Sequence, residues 1–153
     1  MLRRTLCLVF PAALLAADPK PDFSGHWSID LAKSDFGMLP PPEKLERDID
    51  HKDPEIKIKT LQAGPRGERT SESKLTTNGK ESSVQLMGRD AKSTAAWIGS
   101  KLNIKTKLEF NGAEILQNET WTLSNDGKVL TIENAISSPQ GEFTMKNVFT
   151  KGS

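Results

Sequence analysis

Apolar and polar residues alternate along most of the chain between residues 23 and 150, and the dipeptides Asn78-Gly79, Asn111-Gly112 and Asp126-Gly127 interrupt this alternation. A period of two is typical of strands that bury one face. Asn-Gly and Asp-Gly are strong signals for tight hairpin turns. Because strands joined by tight turns pair with their neighbours, the sequence predicts a long antiparallel meander.

A meander of this length must close on itself or leave two edge strands with unpaired backbone groups. No segment of the mature chain has the caps and the period of an ordinary amphipathic helix. We therefore predict an all-β fold, an antiparallel meander barrel of about eight to ten strands. The predicted strands are 24–30, 45–51, 55–61, 69–77, 81–87, 91–98, 101–110, 113–123, 128–136 and 142–150.

The alternation stops between residues 31 and 43, where Pro40-Pro41-Pro42 disfavours both a helix and a central strand. Long irregular segments in compact domains are usually functional or mobile. Phe36, Met38 and Leu39 give this segment an apolar side. Two roles are therefore open: a lid over the mouth of the barrel, or a strap that packs along the barrel wall.

Residues 1–17 have the pattern of a secretory signal peptide, with Arg3 and Arg4 before an apolar stretch at 6–15. That stretch is about half the length needed to span a bilayer. Cleavage after Ala17 would place Leu15 where a small residue is preferred, which leaves an uncleaved anchor open. We predict a signal peptide at 1–17, a single β-barrel domain at 18–153, and a periplasmic or secreted bacterial protein.

Composition narrows the classes of protein further. The single cysteine, Cys7, lies in the predicted signal peptide, so the mature domain would have no disulfide. The chain has 21 Lys and Arg against 20 Asp and Glu, and removal of Arg3 and Arg4 leaves it close to neutral. Nucleic-acid-binding domains present a basic surface instead. We expect no nucleic-acid partner and no membrane span in the mature chain.

The sequence has no catalytic or metal-binding motif. His26 and His51 have no second His or Cys at ligand spacing, and metal sites usually need three or four ligands. Nucleophile elbows, phosphate-binding loops and dinucleotide fingerprints are also absent from the sequence. We predict no cofactor, no metal and no enzyme activity, because an enzyme would have to use Glu119 or His51 as a solitary acid or base.

Polar residues share the inward-facing side of several predicted strands. If Ile115 and Trp121 point inward, the period of two brings Glu119 to the same side. A carboxylate in that environment needs a partner or water, and Arg47 is a candidate partner from an earlier strand. The alternatives are a structural hydrogen-bonded network, or a bulge that turns these residues outward. The predicted lumen site comprises Arg47, Thr106, Gln117, Glu119, Asn134 and Asn147.

The segment at 23–27, Phe-Ser-Gly-His-Trp, resembles the N-terminal signature of the calycin barrels, which comprise lipocalins, fatty-acid-binding proteins and avidins. The shared residues are Phe23, Gly25 and Trp27. The resemblance implies a barrel in which Gly25 lets the chain bend into the first strand and Trp27 plugs the closed end. The count of about ten strands is more similar to the fatty-acid-binding branch than to the lipocalins.

The chain departs from these families where they bind ligands. The segment at 31–43 is too short and too rich in proline for the two helices of fatty-acid-binding proteins. Their final Arg-x-Tyr motif is replaced here by Lys146, Asn147 and Phe149, and no arginine follows Arg89. The resemblance, which extends to small exported barrel proteins of soil bacteria, therefore implies a fold and a structural role for the motif but no ligand-binding residue.

Two functions from different classes fit these predictions. The first is an exported lipocalin-like carrier that binds a small, partly apolar molecule, hydrophobic or amphipathic, in the barrel lumen. The alternative is a surface interaction or inhibitor module whose barrel is filled by side chains and holds no ligand. The two functions differ in one structural feature, which is whether the lumen is open or filled.

Overall fold

The computed structural model describes residues 20–86 and 88–152, and the predicted signal peptide at 1–17 lies outside them. The described residues form one antiparallel sheet with the strand order β4-β3-β2-β1-β10-β9-β8-β7-β6-β5. The predicted all-β, ten-stranded meander is confirmed. Its strands are β1 Gly25–Ile29, β2 Lys44–Lys52, β3 Glu55–Gly64, β4 Gly67–Thr76, β5 Ser82–Leu86, β6 Arg89–Ile98, β7 Lys101–Phe110, β8 Ala113–Leu123, β9 Val129–Ser138 and β10 Gly141–Lys151.

Pairing between β1 and β10 joins the first strand to the last and curls the sheet into a barrel. Trp27 lies opposite Lys151, and Ile29 lies opposite Phe149. The two edge strands of the sheet, β4 and β5, are neighbours without a backbone ladder between them. The barrel is therefore nearly closed, with one gap. Within the same described residues, no helix is long and apolar enough to cross a membrane.

The three predicted turns differ in what they connect. Asn111 and Gly112 have φ values of 51° and 76° and join β7 to β8 in a tight hairpin, as expected. The Asp126-Gly127 turn lies between β8 and β9, which also pair. The hairpin predicted at Asn78-Gly79 is wrong, because the Gly79 N–H donates to the carbonyl of Ala95 in β6. The backbone of this turn is therefore hydrogen-bonded to β6, and β4 and β5 do not pair with each other.

Aromatic rings fill one end of the barrel. The Phe23 ring stacks on His51 and Trp97, with ring centroids 5.7 and 5.9 Å apart, and meets the edge of Trp121 at 5.5 Å. Trp27 is fully buried, and its Nε1–H donates to the carbonyl of Phe23 at 2.9 Å. Because buried indoles need a partner for this N–H, that bond holds the chain that enters β1 across the closed end.

Gly25 has the backbone geometry that the calycin-like motif implies. Its φ is 143°, a value that residues with a Cβ rarely adopt. A Cβ at this position would lie 2.7 Å from Cε of Lys151, whose ammonium is 5.8 Å from the centroid of the Trp27 ring. The glycine thus allows the first and last strands to meet over Trp27.

The segment at 31–43 is irregular, as predicted, and its contacts with β10 correspond to one of the two roles left open above. Asp35 and Lys146 of β10 exchange two backbone hydrogen bonds of 2.8 Å, and the Val148 N–H donates to Oγ of Ser34 at 2.9 Å. This first half is a strap along the wall. In the second half, Phe36 and Leu39 line the internal cavity, and a lid role for this half stays a prediction.

Replacement of Gly25 by alanine tests the backbone requirement. We expect Gly25→Ala to lower the free energy of unfolding by about 1 to 3 kcal/mol, because alanine is strained at this φ. Gly64→Ala is the matched control, since Gly64 lies outside the positive-φ region and a methyl group added there would meet no atom within 4 Å. Urea unfolding of both variants measures the difference, and equal stability would contradict the requirement.

Candidate functional site

The barrel encloses a cavity of about 350 Å³. Its wall includes the apolar side chains of Leu45, Ile58, Leu75, Ile104 and Trp121. The structure also brings together on this wall all six residues predicted from the sequence to face the lumen: Arg47, Thr106, Gln117, Glu119, Asn134 and Asn147. Their role in binding a ligand stays a prediction.

Strand register places most of these polar residues side by side. Glu119 on β8 lies opposite Asn134 on β9. Gln117, two residues before Glu119, lies opposite Thr106 on β7, and Thr106 lies opposite Ser93 on β6. Side chains that are directly opposite on one face of a sheet are close enough to interact. The register therefore builds a polar stripe across four strands inside the barrel.

Glu119 is held by neutral donors. Its carboxylate accepts hydrogen bonds from Nε2 of Gln117 at 3.1 Å and from Nε1 of Trp121 at 3.0 Å. The partnership expected between Arg47 and Glu119 is wrong as a direct contact, because no ion pair within 4.0 Å joins them among the described residues. Groups on its own strand supply the donors that a partly buried carboxylate needs.

Arg47 lies against aromatic rings. Its guanidinium carbon is 5.7 Å from the centroid of the Trp121 ring and 5.5 Å from that of Phe149. These distances are typical of cation–π contacts. Within residues 20–86 and 88–152, the buried Nε of Arg47 has no hydrogen-bond partner. The cationic side chain is thus positioned by rings that leave part of its hydrogen-bonding capacity unused.

Unused hydrogen-bonding capacity is concentrated on one side of the cavity. Asn134 on β9 and Asn147 on β10 are 6% and 9% exposed, and Oδ1 of each has no partner in the described structure. On the opposite side, Oγ of Ser93 and Oγ1 of Thr106 are hydrogen-bonded at 2.6 Å. Buried polar atoms without a partner are rare in proteins. The side formed by β2, β9 and β10 therefore has groups that a bound molecule could satisfy.

The lumen also contains polar residues that the sequence analysis missed. Thr60 lies opposite Arg47, and Ser71 lies opposite Thr60, so one row continues from β2 onto β3 and β4. Strand β4 is polar on both faces and gives no amphipathic signal from which an inward side could be chosen. The register with Arg47 is the signal that would have found them. On β3 and β4, the missed polar residues that line the cavity are Thr60, Gln62, Arg69, Ser71 and Ser73.

His51 belongs to the closed end below the cavity. It is 6% exposed, and its ring stacks against both Phe23 and Trp97. The Phe23 N–H donates to Nδ1 at 3.2 Å, which assigns the proton to Nε2, and Nε2 lies 3.3 Å from Oδ1 of Asp53. The same Oδ1 accepts from Oγ1 of Thr77 at 2.7 Å and from Nε1 of Trp97 at 3.0 Å. Both ring nitrogens are therefore used in holding the closed end together.

This network also shifts the titration of Asp53. Partial burial raises the pKa of Asp53, but hydrogen bonds from Thr77, Trp97 and His51, together with the charge of Lys20, outweigh that effect and lower the pKa below its ordinary value of 3.8. Among all described residues, including those of the closed end, no group of three or more His, Cys, Asp or Glu side chains is placed to hold a metal ion.

Comparison with known proteins identifies the fold. No protein-family model matches the chain, and no curated protein matches it. Solved structures do match. The zebrafish ileal bile acid-binding protein complexed with cholic acid has a TM-score of 0.59 and 20% identity, over 85% of this chain and 98% of that one. The fluorescent protein UnaG has a TM-score of 0.61 and 18% identity, over 85% and 97%.

A third similar structure is a mutant form of the fatty acid transporter REP1-NXSQ, with a TM-score of 0.58 and 13% identity over 84% of this chain and 97% of that one. These alignments cover nearly the whole of each neighbour, so the likeness extends to the entire barrel. The chain therefore has the calycin-like, ten-stranded barrel fold that the Phe23, Gly25 and Trp27 motif implies.

The closed-end network predicts a pH-dependent stability. We expect Asp53→Asn to lower the free energy of unfolding at neutral pH, because the ionised carboxylate accepts three hydrogen bonds there. With a folded-state pKa below the ordinary value of 3.8, this contribution is complete above pH 3.8 and is lost as the pH falls through the folded-state pKa. The free energies of unfolding of wild type and Asp53→Asn should therefore converge at strongly acidic pH.

Urea unfolding from neutral to strongly acidic pH measures this difference. Asp50→Asn, at an exposed position of β2, is the matched control for the loss of one carboxylate. A stability gap between wild type and Asp53→Asn that is independent of pH would contradict the assignment.

Proposed function

We propose that this protein is a carrier that binds a small, partly apolar molecule in the lumen of its barrel. The observation that supports this function is the open cavity of about 350 Å³, whose wall combines apolar side chains with polar atoms that lack partners in the described structure. Apolar cavities with a few placed polar groups are typical small-molecule sites.

The structural neighbours support the same class of function. One is complexed with cholic acid, and another is a fatty acid transporter. Cholic acid and fatty acids are amphipathic, and a lumen with one apolar and one polar portion suits molecules of that kind. A binding role also fits better than catalysis, because both ring nitrogens of His51 are engaged at the closed end and Glu119 is bonded to neutral donors.

The alternative function, a surface interaction or inhibitor module, requires a barrel filled by side chains. The open lumen disfavours that arrangement. The cavity lining includes Phe36 and Leu39 of the strap, Gln62 and Arg69 near the turn between β3 and β4, and Leu86 at the end of β5. We propose that these residues border the mouth through which the ligand enters.

Export is the second part of the proposal. The charged start, the short apolar stretch at 6–15 and Ala16-Ala17 support a signal peptide at 1–17 and a periplasmic or secreted location. The described barrel begins its first strand at Gly25, so removal of 1–17 would leave every strand intact.

Binding in the lumen is tested by a substitution that fills it. Thr60 lines the cavity, and Trp121 on the same wall reports on binding by its fluorescence. We expect Nile red, a neutral apolar dye, to bind saturably to the wild type, and we expect Thr60→Phe to weaken that binding by about tenfold or more, equivalent to about 1.4 kcal/mol. Lys59→Phe adds the same ring to the exposed face of β3 and should leave the affinity unchanged.

Circular dichroism and urea unfolding establish that both variants are folded. Equal dye affinity for wild type and Thr60→Phe would show that the dye does not occupy the lumen. Absence of binding by every apolar or amphipathic probe would contradict the carrier function.

Export is tested by the mass of the protein in a Gram-negative host. We expect expression of the full chain to yield a periplasmic protein that begins at Asp18. Deletion of residues 2–17 should keep the protein in the cytoplasm with the same circular dichroism spectrum. A full-length protein that stays in the cytoplasm would contradict export.

A further inference from the structure

We infer that the lumen accepts a ligand with a dipolar head group, whose anionic part contacts Arg47 and whose cationic, hydrogen-donating part contacts Glu119. This inference rests on the proposed carrier function and names the chemistry of its ligand. The inference is based on Arg47 and Glu119, which both contact Trp121 but form no direct ion pair within 4.0 Å.

Arg47 supplies a cation that has no carboxylate of the described residues within 4.0 Å. Its guanidinium lies over Trp121 and Phe149, and Nε is buried without a hydrogen-bond partner in the described structure. Guanidinium groups donate through five N–H bonds in a planar fork that suits carboxylate and phosphate groups. Because a buried donor without a partner costs stability, an anionic group of a ligand that accepts from Nε would stabilise this side chain.

Glu119 supplies the opposite charge. Two donors, Gln117 and Trp121, bind its carboxylate, one at each oxygen. An ionised carboxylate has about four lone-pair sites, so it can accept further hydrogen bonds. Both present donors are neutral, and no cationic nitrogen of the described chain lies within 4.0 Å of the carboxylate. A ligand ammonium or another charged donor would therefore be stabilised here.

Trp121 fixes the relation between the two charges. Its ring contacts the guanidinium of Arg47, and its Nε1–H binds Glu119, so both charges border the same indole. They nevertheless form no direct ion pair within 4.0 Å. Asn134, opposite Glu119 in the register, adds a buried amide with an unpartnered oxygen. The space beside the indole can thus hold a head group that contacts both charges.

The charged residues that line the cavity favour a dipolar head group over one that is only anionic or only cationic. Arg69 is the other charged residue among those that line the described cavity, and it is exposed at the mouth, where solvent screens it. An anionic head would leave Glu119 unpaired next to it, and a cationic head would leave Arg47 unpaired. A dipolar head satisfies both charges at once.

Three probes with one alkyl tail test the inference: tetradecanoate, 1-aminotetradecane and 2-aminotetradecanoic acid. Each is titrated below its aggregation concentration, and its affinity is measured by displacement of Nile red. We expect 2-aminotetradecanoic acid to bind wild-type protein at least about tenfold more tightly than either singly charged probe.

Substitutions assign the two halves of the head group. We expect Glu119→Gln, which keeps an acceptor, to remove the advantage of the amino acid over tetradecanoate. We expect Arg47→Met, which keeps an unbranched chain over the rings, to remove its advantage over the amine. Matched controls are Glu133→Gln on the exposed face of β9 and Arg66→Met in the exposed β3–β4 turn, and neither should change the order of affinities.

The outcomes separate the inference from the carrier function. Tetradecanoate that binds as tightly as the amino acid, or an advantage that survives Glu119→Gln, would overturn the dipolar head group and leave the carrier function standing. Nile red binding that is blocked by Thr60→Phe, without binding of any of the three probes, would do the same. Absence of Nile red binding, together with no change in Trp121 fluorescence on titration with any of the three probes, would overturn both. If Arg47→Met does not fold, the wild-type order of affinities and Glu119→Gln decide.

Discussion

The pairing of β1 with β10 is the interaction on which the rest of this structure depends. Three residue pairs form that ladder, and backbone hydrogen bonds from Gly152 to His26 and from Asp30 to Val148 extend it at its two ends. Without this pairing the sheet would have no inside, because the inward faces of β2 and β9 would not meet across a cavity. Gly25 makes the approach of the two strands sterically feasible, and the buried Trp27 fills the space beneath it.

The closed end and the lumen follow different physical rules. At the closed end, the rings around Phe23 exclude water, and the polar atoms of His51 and Asp53 are hydrogen-bonded. In the lumen, charged and amide groups retain unused capacity, which costs stability unless a bound molecule or water satisfies it. Rigid packing at one end thus supports a cavity that is not optimised for stability on its own, as is expected of a binding site.

Much of the candidate site could be predicted because strand geometry has a period of two. Once Trp121 is placed inside, Glu119 and Gln117 must face the same side, and the cavity confirms their location. The contacts could not be predicted in the same way. Arg47 was expected to pair with Glu119, whereas it lies over Trp121 and Phe149, because a contact between distant strands depends on their separation and stagger across the barrel. The inward side of β4 was identified only through its register, since neither of its faces is apolar.

By itself, the sequence determined an antiparallel meander of about eight to ten strands, the side that most of these strands bury and the turn at Asn111-Gly112. These features are local, because alternation and turn chemistry act between residues close along the chain. The tertiary structure alone decided that β4 and β5 do not pair with each other, that the strap is bound to β10 at Asp35, and that both lumen charges contact one indole. Those features depend on how a twisted sheet closes in space, which no short stretch of sequence encodes.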